Sequence, residues 1–288
     1  MIDTLGPAVL STGLSYLDAL VLGVVEGLTE FLPVSSTGHL TVVEKLLGLT
    51  IDDPAVTAFT AIIQLGAIVA TFIYFWNDIA RLALAWWDGV VGGTRRRGRD
   101  YRFAWAVILG SLPVAVVGLA LRKVIEGPLR NLWVVAAALL LWCLVMAFAE
   151  RNATQEVSEK QLTLRQVLLI GVAQCAALVP GVSRSGATIS AGLLQGINRV
   201  TATRLSFFLA IPALTGAGLL ELTKVDTAVV GWGPLAVGTL VSFVVAYASI
   251  AWLLRFVAGH RITAFVPYRI AVGVLVAGLL LAHVVTAT

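Results

Sequence analysis

Glu26-Gly-Leu-Thr-Glu30-Phe-Leu-Pro-Val-Ser35-Ser36-Thr37-Gly38-His39 sets two carboxylates, three consecutive hydroxyls and an imidazole within fourteen residues. Apolar runs flank it, at 17–25 before and at 40–49 after, the second broken only by Glu44 and Lys45. Ionisable groups at membrane depth cost about 2.5–3.5 kcal/mol each on insertion scales. A chain that keeps such a cluster uses it to bind or transform something, so this stretch is the first candidate site. Its proline and its hydroxyl-rich turn also break what would otherwise be one apolar helix, and that break decides the fold class.

The remainder of the chain supplies the setting. Of 288 residues, 59% are hydrophobic and only 12% charged, with mean hydropathy +0.94. Soluble domains carry about 25% charged residues, so this is a polytopic membrane protein. The net charge of +4 sits in short loops between apolar runs, which reports topology and excludes a nucleic-acid-binding role. Cys143 and Cys175 both lie in apolar runs and indicate neither a disulfide framework nor a metal cluster. The amino terminus lacks the basic region of a cleaved signal peptide and is read as part of the mature chain.

A span needs about 20 apolar residues. Full spans are expected near 54–76, 103–122, 131–149, 203–221, 234–257 and 269–285. Two further apolar regions, 18–47 and 166–197, are interrupted by Pro, Gly and Ser. Each reads as helix, turn and helix, a re-entrant hairpin of the kind a bilayer tolerates only where protein buries the backbone. The basic residues then divide as fourteen against five between the two faces. The rich face holds the 77–102 and 150–166 loops with Arg199, Arg204, Arg255, Arg261 and Arg269, and is read as cytoplasmic. Both termini and the mouth of the first hairpin fall outside.

The halves resemble each other. Gly23-Val24-Val25-Glu26 recurs as Gly171-Val172-Ala173-Gln174, and Val34-Ser35-Ser36-Thr37-Gly38 falls on Val182-Ser183-Arg184-Ser185-Gly186 at the same offset of 148 residues. Each half is one broken hairpin followed by three spans, repeat one over 18–149 and repeat two over 166–285. Three is odd, so the second half inserts upside down. The expected fold is an all-α integral membrane protein with an inverted-topology repeat, about six transmembrane helices and two re-entrant hairpins. Such architectures place sites at the repeat interface.

Glu26 and Glu30 stand one helical turn apart, so both carboxylates leave the same face. Two carboxylates in a low dielectric either raise one pKa, giving a general acid or base, or share a cation. The bland alternative is a pair of glutamates bonded to polar partners in the opposite hairpin. Ser35, Ser36 and Thr37 exceed what a single helix cap requires, and His39 follows within reach of a serine. The second hairpin, Pro180-Gly181-Val182-Ser183-Arg184-Ser185-Gly186-Ala187-Thr188, supplies hydroxyls, a helix start and an arginine. Backbone N–H groups with a planar guanidinium make an anion cradle suited to phosphate. A structural ion pair of Arg184 with Glu26 or Glu30 is compatible with that role. Nucleophile, base, arginine and carboxylates are together the parts of phosphoryl transfer.

These two motifs resemble those of the bacterial undecaprenyl-diphosphate phosphatases of the bacitracin-resistance type, in the same order and over essentially the whole span layout. The resemblance implies an inner-membrane hydrolase that removes the terminal phosphate of undecaprenyl diphosphate, with its site open to the periplasm. It carries catalytic roles onto Glu26, Glu30, Ser36, His39 and Arg184, and phosphate contacts onto Ser35, Thr37, Ser183, Ser185 and Thr188. Gly181 and Gln174, inside and just before the second motif, join the candidate binding set. A divalent cation, Mg2+ or Ca2+, is implied, with Glu26 and Glu30 as its candidate ligands. The expected partners are a prenyl diphosphate lipid, bilayer lipid and a second copy of the chain as a homodimer. Attack by Ser36, with His39 or Glu30 taking its proton, and direct attack by water both fit the residues. A transporter or lipid flippase, using the repeat interface as its site, is the alternative of a different class.

Overall fold

The computed structural model describes residues 14–50, 53–92, 98–222 and 231–287. Arg95, Arg96, Arg97, Lys224 and the first thirteen residues, all used in the topology reading, lie outside the described residues. The chain begins with α1 (Tyr16–Thr29) and α2 (Ser36–Leu46), followed by α3 (Pro54–Tyr74), α4 (Trp76–Val91), α5 (Arg99–Ala120), α6 (Arg122–Glu126) and α7 (Leu132–Arg151). Then come α8 (Leu164–Gln174), α9 (Arg184–Leu194), α10 (Arg199–Leu222), α11 (Trp232–Gly259) and α12 (Val266–Leu281). Six stretches are long and apolar enough to cross a membrane: Ala55–Tyr74, Arg99–Ala120, Leu132–Arg151, Arg199–Leu220, Trp232–Gly259 and Ile262–Leu281. They coincide with the six spans expected from hydropathy, to within a few residues at most ends. The last starts earlier, because a 3-10 turn at Ile262–Phe265 leads into Pro267 in the first turn of α12.

The two broken regions fold as helix, turn and helix. Matching boundaries stand 148 residues apart: Tyr16 and Leu164, Ser36 and Arg184, Leu46 and Leu194. The local causes match too. Ser15 with Asp18 caps α1, and Thr163 with Gln166 caps α8, each as a reciprocal capping box. Ser35 and Ser183 cap α2 and α9 at φ 79° and 78°, a left-handed setting that costs a non-glycine residue about 1–3 kcal/mol. Each serine offsets that strain by accepting a backbone N–H, from Gly38 at 3.4 Å and from Gly186 at 3.1 Å. The turns differ in one respect: residues Cys175–Leu178 wind as a 3-10 helix before the second turn.

Glycines let the short helices seat against long ones. A Cβ on Gly23 of α1 would lie 2.6 Å from the Gly238 carbonyl oxygen of α11, and one on Gly171 of α8 would lie 2.0 Å from the Gly110 oxygen of α5. Each hairpin's first helix therefore packs backbone to backbone on a span of the other half. Phe31, Phe75, Phe207 and Phe208 fill the core between them.

The region 77–102, expected as a loop, contains α4. Its 16 residues are too short and too charged to read as a span, yet they are amphipathic. Leu82, Ala85 and Gly89 are buried, whereas Trp76, Leu84, Trp87 and Val91 are exposed. Trp86 packs edge-on against Trp105 at 5.8 Å, so this pair is a packing contact, while Trp87 and Trp133 stay exposed. Several charges expected in loops tie elements together. Arg204 holds Asp78 at 2.7 Å and Glu159 at 3.0 Å, with its guanidinium over Phe75 and Phe208. Arg199 pairs with buried Glu150, which also accepts the Ile262 N–H at 3.0 Å. Arg269, grouped with the loop charges on sequence, is fully buried.

The backbone contact of α8 with α5 makes a direct prediction. Gly171→Val should lower stability by about 3 kcal/mol or more, through overpacking against an immobile carbonyl. Gly118→Ala, where the added methyl would meet only a Leu178 methyl at 3.5 Å, should be near neutral. Thermal unfolding of the two variants in detergent checks both.

Candidate active site

Glu30 closes α1, donating its N–H to the Glu26 carbonyl at 2.9 Å. The turn through Pro33 brings Ser36 back over it. The Ser36 hydroxyl donates to Glu30 Oε2 at 2.5 Å, at the short end of O–H···O hydrogen bonds. Gln64 of α3 donates to the same oxygen at 3.3 Å. The other oxygen, Oε1, accepts from Arg184 Nη2 at 3.0 Å, while Arg184 Nη1 donates to the Ser206 carbonyl at 3.0 Å. The pair is shielded, with 4% of the Glu30 side chain and 11% of the Arg184 side chain exposed.

These groups form the floor of a cavity of about 550 Å³. Glu30, Ser35, Ser36, Thr37, Gln64, Gln174, Ser183 and Arg184 supply its polar floor, and Arg122 adds a second arginine to its lining. Its wall is apolar, from Val114, Ala115 and Leu119 of α5 and from Pro212 to Leu220 of α10. Both α2 and α9 begin at this floor, so the first N–H groups of two helices, which have no acceptor within their own helix, come to one place. An anionic head on the floor and an apolar chain along the wall fit this division.

Residues 19–275 match the family model described as bacitracin resistance protein BacA. The chain belongs to that family. Similar proteins include undecaprenyl-diphosphatase 3 of Frankia casuarinae, 55% identical over 96% of this chain and 100% of its own. Undecaprenyl-diphosphatase of Cutibacterium acnes is 50% identical over 95% of this chain and 100% of its own. That of Corynebacterium diphtheriae is 45% identical, covering 96% and 98%.

The BacA-family motifs do not all reach the cavity. His39 points away from it: Nδ1 lies 2.7 Å from the Ser35 carbonyl and Nε2 lies 2.8 Å from the Tyr268 hydroxyl. A carbonyl only accepts, so Nδ1 carries the proton and Nε2 accepts from Tyr268. The two rings stack at 5.5 Å. Ser185 donates to the Leu32 carbonyl at 2.9 Å, and Thr188 donates to Arg184 O at 2.9 Å, with its hydroxyl 2.8 Å from Ser206 Oγ. Gly181 sits at φ 100° and donates its N–H to Ser35 Oγ at 3.2 Å. These residues brace the two turns. Glu26 lies fully buried with no hydrogen bond to either carboxylate oxygen, and the Gln174 amide, 148 residues on, is likewise buried and unpaired.

Sequence reasoning passed over Gln64, Ser206, Tyr268 and Arg269. Gln64 alone carried a signal, as a lone amide inside an apolar span. The other three gain meaning only from what the fold places beside them.

The Glu30–Arg184 pair makes the second prediction. Removing one partner of a buried ion pair costs about 3–5 kcal/mol because the other charge is stranded. Arg184→Ala should therefore unfold more easily by about 3 kcal/mol, and Glu30→Gln in the same chain should restore more than half of the loss. Unfolding of the two single variants and the double variant measures the coupling.

Proposed function

We propose that this protein hydrolyses undecaprenyl diphosphate to undecaprenyl phosphate and inorganic phosphate, returning the carrier lipid to cell-wall synthesis. The observation that carries this reading is the Ser36 hydroxyl held at 2.5 Å on Glu30, with Arg184 on that carboxylate's other oxygen, at the polar end of an apolar-walled cavity. Relatives named for the same hydrolysis support it over 95–96% of the chain.

In the mechanism proposed, the terminal phosphate lies between the starts of α2 and α9, and the prenyl chain follows the wall formed by α5 and α10. Ser36 Oγ attacks the terminal phosphorus while Glu30 Oε2 takes its proton. The bond from that phosphorus to the bridging oxygen breaks, and undecaprenyl phosphate leaves. Arg184 and the helix N–H groups stabilise the charge on the transferring oxygens. Glu30 passes the serine proton to the departing undecaprenyl phosphate, then takes one from the water that attacks the phosphoserine. It returns that proton to Ser36 Oγ as the serine–phosphorus bond breaks and phosphate is released. His39 holds the Ser35 carbonyl and shapes the turn, so Glu30 is assigned the base role. A route in which Glu30 activates water directly is the mechanistic rival.

A divalent cation fits the donors present. Among the described residues no three His, Cys, Asp or Glu side chains converge, so a cation would be held by one or two carboxylates together with substrate phosphates and water. Glu26, with two buried oxygens that lack partners, would hold it, with Glu30 as its neighbour. Bound there, the cation would neutralise charge on the phosphates.

Topology follows the same reading. α1 has 14 residues, about 21 Å at 1.5 Å per residue, short of the roughly 30 Å hydrocarbon core. That length and the interlocked packing of the halves support re-entrant hairpins in an inverted repeat. The charge bias supports a periplasmic site with both termini outside. A homodimer remains a proposal on which no step of the mechanism rests. The transporter reading is not favoured, because the similar proteins are named for hydrolysis.

Purified protein in detergent should release phosphate from a long-chain prenyl diphosphate without any gradient. Ser36→Ala and Arg184→Lys should each lose at least about 100-fold while remaining folded, the scale of losing an oriented transition-state contact. An alkali-labile phosphoserine should be trapped, and a chiral terminal phosphorus should leave with retained configuration. Inversion would select direct water attack, and folded wild-type protein silent with every divalent cation would overturn the hydrolase reading.

A further inference from the structure

Arg269 lies at the fourth residue of α12 and is fully buried. Its Nη1 donates to the Pro33 carbonyl at 3.0 Å, and its Nη2 donates to the Gly181 carbonyl at 2.9 Å and the Ala138 carbonyl at 3.4 Å. Its three bonded oxygens are all backbone carbonyls, the Cys143 side chain lies beside it, and its Nε has no partner. Leaving a guanidinium buried without a carboxylate is expensive, so its placement calls for a reason.

Pro33 and Gly181 occupy equivalent positions, 148 residues apart, in the two hairpin turns. Each stands two residues before the serine that adopts positive φ, Ser35 in the first turn and Ser183 in the second. One planar fork therefore spans the two halves at matching carbonyls, while α7 supplies the third acceptor. On the cavity side, the direct bonds between the hairpins are those of Ser35 with the Gly181 N–H, of Ser183 and Ser185 with the Leu32 carbonyl, and of Arg184 with Glu30, among the described residues. The chemistry is divided the same way. Glu30 and Ser36 come from the first hairpin, and Arg184 comes from the second.

We propose that Arg269 is a positioning residue: by holding Pro33 O and Gly181 O together it sets the register of the two hairpins, and hence of Ser36 and Glu30 against Arg184. It touches no substrate. The inference rests on the hydrolase reading. Lysine is the informative replacement, because a point charge keeps the cation but cannot reproduce a planar fork. Misplacement of a reacting group by about 1 Å costs about 100-fold.

The test uses full-length protein in detergent with prenyl diphosphate as substrate and inorganic phosphate as inhibitor. Arg269→Lys should keep a melting temperature within a few degrees of wild type. Its kcat should fall about 30- to 100-fold, and inhibition by phosphate should weaken about 10-fold. KM, set largely by the prenyl chain, should stay within about 3-fold. In an Arg184→Lys background the same change should cost less than about 3-fold, because the group being positioned has already been altered.

A Lys variant with wild-type kcat and phosphate inhibition overturns the proposal. So does an equal loss in both backgrounds, which marks a role unconnected with Arg184. Should neither Arg269→Lys nor Arg269→Gln fold, the residue serves the fold alone and the proposal fails. Silence of wild-type protein in the same assay would instead count against the hydrolase reading.

Discussion

Two stretches of backbone leave the helical state deep inside an apolar protein, and each carbonyl and N–H there needs a partner drawn from the protein itself. Buried backbone groups without partners cost several kcal/mol each in hydrocarbon. Ser35, Ser183 and Ser185 meet part of that need with hydroxyls, and Arg269 adds a donated bond to one carbonyl in each turn. The side chains that satisfy the first turn come largely from the second, and the reverse holds as well. Mutual satisfaction ties the halves of the chain to each other at the point where both are weakest.

The site arises from the same arrangement. A turn that breaks an apolar helix creates a new helix start, and a helix start presents unpaired N–H groups. Two such starts facing one cavity make a place for an anion, and the glutamate that ends α1 sits opposite them with Ser36 and Arg184 on its two oxygens. Away from the floor the lining is mostly apolar span surface, interrupted by Arg122. In the proposed function, the diphosphate head takes the floor and the prenyl chain takes the wall.

Much of this was legible in the chain. The six spans appear in the hydropathy, and the two breaks appear as proline, glycine and serine within otherwise continuous apolar runs. Glu30, Ser36 and Arg184 stood out because charge and hydroxyls are costly at that depth. His39 stood out for the same reason, yet its ring turns to Tyr268 and the Ser35 carbonyl instead of the cavity. Spacing along a helix places a residue on a face, but the direction of an imidazole depends on a partner 229 residues away. α4 escaped notice because its apolar residues alternate with Asp78, Arg81 and Asp88, a pattern that hydropathy averages into a loop.

What the sequence determined by itself was the class of protein, the number of spans and the motifs, since all of these follow from local composition against the cost of burying charge. What only the tertiary structure decided was how those parts meet. Arg269 read as one more loop cation until the fold buried it against Pro33 and Gly181. Gln64 and Ser206 acquired roles only as neighbours of Glu30 and Arg184. A residue's partners across a bundle depend on helix packing, and helix packing depends on small residues such as Gly23 and Gly171 touching backbones in the other half. That information is spread over the whole chain, so no single stretch could have carried it.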